Sequence, residues 1–183
     1  MLASALWALD YLHWWAAHGA AGVNFHNKQW LYTATVVPDP AAPGGGYAAS
    51  PKGYGVKAFT LGSAGRVRPV AVGNRGGVNL TAYCVGGADG DYVTIINKTH
   101  GAGAADAAVT IAPPGRGVPH AEVMTLAGGE PGEATGARAT LGGAAITGDA
   151  PWAGEWSELP AGPRAEVSLT VRAATAAIVR VRG

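Results

Sequence analysis

Apolar residues recur at helical spacing over the first twenty positions, and further along the chain the pattern changes to short alternating runs. Leu2, Ala5, Leu6, Leu9, Leu12 and Ala16 form one stripe, and Trp7, Tyr11, Trp14 and His18 form a second. A helix that is apolar on two faces belongs between two layers of a larger structure. His18-Gly19 ends it, because glycine supplies the left-handed C-cap. The run Ala20 to His26, bounded by Gly and Asn, predicts a buried strand whose C-terminal end carries Asn24, His26 and Asn27. A parallel strand needs neighbours, and nothing else in the chain supplies them. Leu2, Leu6, Leu9, Val23 and Phe25 are therefore expected to be exposed, and residues 1–65 to be weakly protected or prone to association.

Residues 28–50, with Trp30, Tyr32, Pro38, Pro40, Pro43, three consecutive glycines at 44–46 and Tyr47, predict a long loop. Ser50 then reads as an N-cap and Pro51 as the first residue of a helix. Val56, Phe59 and Thr60 follow at helical spacing, and Gly62 to Gly65 stops it. From Arg66 the texture is β-rich. The predicted strands are Val67–Val72, Val78–Val85, Tyr92–Asn97, Ala107–Ile111, Ala121–Leu126, Val167–Val171 and Ala177–Val181. Val167, Leu169 and Val171 alternate with Ser168, Thr170 and Arg172, the pattern of a strand with one buried face. Asp89-Gly90 signals a hairpin. The fold class these patterns predict is mainly β: an antiparallel β-sandwich over residues 66–183, preceded by a helix-strand-helix portion over 1–65. Gly128 to Pro163 is Gly-rich and yields no element.

Composition narrows the functional classes. The chain has 183 residues, 48% hydrophobic and 14% charged, with 29 Gly and 12 Pro, which excludes a highly charged disordered tail. It allows one domain, or a small domain plus a piece of a larger one. A formal charge of +1 gives a nucleic-acid partner no electrostatic support. The single cysteine, Cys84, forbids an intrachain disulfide and a multi-thiolate metal site. No basic segment precedes Leu2, as a secretory signal would need. Ser4, Asp10, His13 and His18 interrupt any membrane span, so no membrane partner is expected.

Catalysis by carboxylates needs a facing pair about 5 to 9.5 Å apart. No two of the twelve acidic residues pair on sequence grounds, and they read as solvated charges. The serines lack a nucleophile-elbow context, and Cys84 in mid-strand reads as an inert buried thiol. His13 and His18 are outside the i, i+4 spacing of a zinc helix and read as packing and capping residues. The glycines at 44–46 lack the ending of a phosphate loop and read as a hinge. Trp152 and Trp156 could stack on a sugar ring, but read more simply as closing the end of the sandwich. His26 and Asn27 differ from these. In a (β/α)8 barrel the C-terminal strand ends hold the active site, so polar groups closing an apolar strand before an aromatic loop sit where a substrate lies.

The blocks SALWALDYLHWWAAHGAAGVNFHN, KQWLYTATVVPDP, PKGYGVKAFTLGS and TLGGAAITGDAPWAGEWSELPAG, with the closing AAIVRVRG, resemble in order the C-terminal end of glycoside hydrolase family 79, the β-glucuronidase and heparanase group. The resemblance implies a (β/α)8 barrel followed by the β-glucuronidase C-terminal domain. Residues 1–65 would be the last part of the barrel, with Ala20 to His26 as its eighth strand, and 66–183 the β-sandwich. It implies that both catalytic glutamates lie on earlier strands, so this chain contributes none and is inactive alone. It also implies that the loop after the eighth strand binds the uronate carboxylate, partly through a tyrosine. Tyr32 is the first match and Tyr47 the second, with His26 and Asn27 completing the substrate-binding set. No cofactor or metal is implied. The partner is a uronic-acid glycoside, met once the missing barrel portion is supplied in cis or in trans, and the parent enzyme is expected to be exported. The alternative is a free-standing β-sandwich acting as a carbohydrate-binding or structural accessory module.

Overall fold

The computed structural model describes residues 1–26, 34–39, 45–112, 120–130, 132–136, 138–148, 150–160, 162 and 166–182. They form a mainly β structure with antiparallel sheets and two helices. Helix α1 spans Leu2–Ala17 and α2 spans Pro51–Gly62. A small hairpin, β1 (Val36–Asp39) and β2 (Gly46–Ala49), precedes α2. The remaining strands are β3 (Arg66–Arg68), β4 (Leu80–Gly87), β5 (Gly90–Asn97), β6 (Ala107–Ile111), β7 (His120–Gly128), β8 (Ala139–Leu141), β9 (Ser157–Leu159), β10 (Val167–Val171) and β11 (Thr175–Arg182).

Seven strands make the main sheet in the order β3-β4-β5-β11-β7-β8, with β9 also on β7; β6 and β10 pair separately. Alternation along β11 explains the layering. Ala176 and Ile178 join Met124 and Leu126 in a core shared with the helices, whereas Ala177, Val179 and Val181 join Val167 and Val171 of β10 beneath the opposite face. The central sheet is thus covered by two helices on one side and by β6–β10 on the other.

Three expectations are corrected. Leu2, Leu6 and Leu9 are not exposed; they are at most 4% accessible and pack into the core of the main sheet. Burial of three leucines contributes roughly 5–9 kcal/mol, comparable with the net stability of a whole domain, so α1 belongs to the same core as the strands. The backbone agrees: Leu2 and Ala3 donate to the carbonyls of Gly136 and Ala134 at 2.8 Å each, which satisfies two of the four orphan donors of the helix start. Second, Ala20 to His26 forms no strand, with a bend at Ala21, and pairs with none among the described residues. Its apolar run suits a strand, but a ladder requires a neighbour. Third, residues 36–49 of the expected long loop hold the β1–β2 hairpin, and Val67–Val72 shrinks to the three residues of β3, because Pro69 lacks the donor the ladder would need next. The Gly-rich stretch 128–163 supplies the short strands β8 and β9.

Other signals hold. Ser50 caps α2, accepting from the Gly53 amide at 3.4 Å, with Pro51 in the first turn. The β4–β5 hairpin is centred on Ala88-Asp89, and Gly90 opens the return strand at φ 136°. Among the described residues no helix is long and apolar enough to cross a membrane.

Candidate functional site

The first turn of α2 gathers the segments that carry the sequence candidates. Ser50 Oγ donates to the Ala34 carbonyl, and the Ser50 amide donates to the Thr35 carbonyl at 3.0 Å. Gly53 backs so closely on Thr35 that a Cβ would overlap its carbonyl oxygen. Lys52 Nζ donates to the His26 carbonyl at 3.3 Å and stands 4.8 Å from the Phe25 ring centre. Both ends of the interval between His26 and Ala34 are therefore tied to one helix turn. Asn27 and Tyr32 lie in that interval, outside the described residues. His26 itself is exposed. Tyr47 is 50% exposed on β2 opposite Pro38, with its backbone against Gly148.

Beside this turn the second face of α1 forms an aromatic shelf. Trp7 stacks on Tyr11 at 4.9 Å, and both rings lie about 6 Å from Phe25. Trp7, Trp14 and Trp15 remain 51%, 44% and 38% exposed, so two members of the second stripe read from the sequence, Trp7 and Trp14, are left largely uncovered by the described residues. Lys52 is only 3% exposed, and burial lowers its pKa. The shelf can seat an apolar ring face.

Deeper between α1 and the sheet lies a polar cluster that sequence reading missed. Asp10 accepts from Thr81 Oγ1 at 2.7 Å, Tyr83 Oη at 2.8 Å and Lys98 Nζ at 3.0 Å. Burial acts to raise the Asp10 pKa, but these three donors outweigh it and hold the carboxyl below its ordinary value. Burial and the Asp10 bond push the Tyr83 phenol up. His13, 3% exposed, stacks on Tyr83 at 5.0 Å and meets Phe59 edge-on at 4.8 Å, and burial drives its imidazole down to about 4. The available signal was spacing: Leu6, Asp10 and His13 fall on one helical stripe. Engaged by these three donors, Asp10 ties α1 to the sheet.

The other candidates take structural places. His18 Nδ1 bonds the Trp14 carbonyl at 2.6 Å near the end of α1. Trp152 and Trp156 pack against the helix-side core, and their rings are faced by Lys57 at 5.2 Å and Arg180 at 4.6 Å. Glu122 is held by Arg180 at 2.7 Å, a bond that lowers its pKa. Burial, then the Asp91 carboxylate, raises the pKa of the Cys84 thiol, which keeps it a poor nucleophile. Among the described residues no group of three or more His, Cys, Asp or Glu side chains could hold a metal ion.

No family model matches the chain, and no curated protein matches it. Solved structures do. The chain is similar to a 4-O-α-L-rhamnosyl-β-D-glucuronidase from Fusarium oxysporum 12S, with 18% identity, a TM-score of 0.67, and coverage of 96% of this chain and 38% of that one. It is also similar to a thermostable GH51 α-L-arabinofuranosidase from Thermotoga petrophila RKU-1, with 13% identity, a TM-score of 0.54, and coverage of 80% and 31%. An arabinofuranosidase is a third, with 14% identity, a TM-score of 0.53, and coverage of 82% and 32%. The fold is glycoside hydrolase-like. The chain spans about a third of the length of each of these neighbours.

Proposed function

We propose that the chain is the C-terminal part of a retaining glycoside hydrolase of the family 79 type, acting on β-glucuronides or related glycosides and inactive on its own. In this reading residues 1–65 are the last portion of a (β/α)8 barrel and 66–183 the C-terminal β-sandwich. The observation that carries it is the extent of one likeness: 96% of the chain matches a protein named as a rhamnosyl-glucuronidase. Trp7, Trp14 and Trp15, exposed next to an apolar stretch with no ladder partner among the described residues, are consistent with the edge of a barrel seen without the rest of it.

Carboxylate catalysis needs two facing groups, and both belong to earlier barrel strands in this reading. The chain's part is to shape the subsite. A uronate carries a carboxylate where a glucoside carries a hydroxymethyl, so discrimination requires donors aimed at that group. A tyrosine hydroxyl and backbone amides give charge-assisted hydrogen bonds there, and Tyr32 is the proposed donor. His26 and Asn27 are assigned in this reading to the ring hydroxyls or to positioning the nucleophile, so their substitution should lower turnover of both substrates alike. In the enzyme containing this chain, Tyr32→Phe should lower kcat/KM for an aryl β-glucuronide roughly 10- to 150-fold and that for the matching glucoside much less. Equal losses on both would move the role to Tyr47 or to backbone groups.

A further inference from the structure

Two Asn-x-Thr triplets occur in the chain, Asn79-Leu80-Thr81 and Asn97-Lys98-Thr99. The triplet is the acceptor pattern for N-linked glycans where its asparagine reaches the surface. The fold separates the two. Asn97, the last residue of β5, is fully buried, and both N–H groups of its amide are spent: Nδ2 donates to the Ala105 carbonyl at 2.8 Å and to the Val171 carbonyl at 3.0 Å. A sugar on that nitrogen would replace one of these donors and demand space inside a packed core. Asn79 is placed differently. It is exposed, just ahead of β4, and follows a turn in which the Asn74 side chain donates to the Val78 carbonyl at 2.6 Å and accepts from the Val78 amide at 3.2 Å. The Asn79 carbonyl accepts from the Lys98 amide at 2.8 Å, which fixes its backbone while the residue stays open to solvent. Leu80 packs on the face of the sheet opposite the helices and Thr81 bonds Asp10 of α1, so alternation sets Asn79 on the helix side.

We propose that Asn79 is an N-glycosylation site and that Asn97 is not. The inference stands independently of the glycosidase reading. The donor is an oligosaccharide joined through its anomeric carbon to a lipid pyrophosphate. In the transfer Asn79 Nδ2 forms a bond to that carbon, the carbon–oxygen bond to the pyrophosphate breaks, one amide proton is lost to a base of the transferase, and the lipid pyrophosphate leaves. The hydroxyl two residues on belongs to the acceptor pattern. Here it is Thr81 Oγ1, which in the folded protein donates to Asp10 at 2.7 Å. One hydroxyl thus serves the transferase first and the contact between α1 and β4 afterwards, which sets the transfer before β4 docks on the helix. The glycan then stands on the surface beside that contact, and the core closes without it.

The test is expression of the 183-residue chain behind a cleavable leader in a eukaryotic secretory host, with gel mobility read before and after an amidase that hydrolyses the asparagine–sugar bond. Arg75 and Lys98 bound a tryptic peptide, Gly76–Lys98, that carries both acceptors, so fragmentation of that peptide assigns the site. The wild-type chain should show a single amidase-sensitive mobility step, and the amidase should convert Asn79 to aspartate and leave Asn97 unchanged. Asn79→Gln should lose the step. Thr81→Val, which keeps the shape without the hydroxyl, should also lose it, whereas Thr81→Ser should retain it. Where a variant is not secreted, the membrane-enclosed product gives the same reading, because transfer precedes folding. An unmodified wild-type chain, a step that survives Asn79→Gln, or a second step assigned to Asn97 overturns the inference.

Discussion

His13 is the residue at which burial most alters chemistry. Its imidazole sits between Phe59 and Tyr83, and Nε2 has no hydrogen-bond partner among the described residues. The buried ring is kept neutral, with its pKa near 4 against an ordinary 6.5. Below 6.5 the unfolded chain takes up a proton that the folded chain refuses, so the stabilisation is complete above that pH and is lost as pH falls toward 4. A shift of that size corresponds to about 3 kcal/mol. Urea melts should therefore give a midpoint that drops between pH 7 and pH 4.5, and His13→Phe, which keeps the ring contacts without a titrating group, should flatten that drop. An unchanged slope in the variant would place the acid sensitivity elsewhere. The Asp10 carboxyl, held below its ordinary value, adds its own loss only under more acidic conditions.

At the scale of elements the helix crossing is the tightest constraint. Gly55 on α2 lies so near Ala5 on α1 that a Cβ would overlap the Ala5 carbonyl oxygen, which is backbone and cannot step aside. Gly55→Ala should cost about 1–3 kcal/mol by forcing the helices apart, whereas Gly73→Ala, with nothing within 4 Å, should leave the thermal midpoint close to wild type. Elements whose identity rests on local pattern were legible in the sequence: β6 and β10 match their predicted spans residue for residue, and Ser50-Pro51 marked the start of α2. What depends on distant partners was not. Ala20 to His26 has the composition of a strand but has no ladder neighbour among the described residues, and Asp10 looked solvated because its donors lie 71 to 88 residues away. Of the substrate-binding candidates, the sequence could mark the interval around Asn27 and Tyr32 but not the clamp at its two ends, since Lys52 and Ser50 act there through backbone carbonyls that leave no side-chain signature.

At the scale of the molecule, the shared core makes helices and sheet one cooperative unit. Leu2 packs on Gly128, and Tyr54 donates no side-chain bond within its own helix but accepts from the Ile146 amide at 2.7 Å. Hydrogen exchange should therefore show the amides of α1 and α2 protected to the same free energy as those of β5 and β11, in contrast to the independent melting that the sequence alone suggests. Helical amides exchanging far earlier than the strands would split the core in two.

The proposal that this chain is part of a β-glucuronide hydrolase whose catalytic carboxylates lie elsewhere is tested most directly by a substrate panel. Aryl β-D-glucuronide, β-D-glucoside and α-L-arabinofuranoside are offered to the 183-residue chain alone and to the same chain co-expressed with a family 79 barrel portion. The expected result is no saturable turnover by the chain alone, and turnover of the glucuronide, with retention at the anomeric carbon, once the barrel is supplied. Saturable hydrolysis by the chain alone, or an assembled enzyme that cleaves the arabinofuranoside and leaves the glucuronide intact, would contradict it.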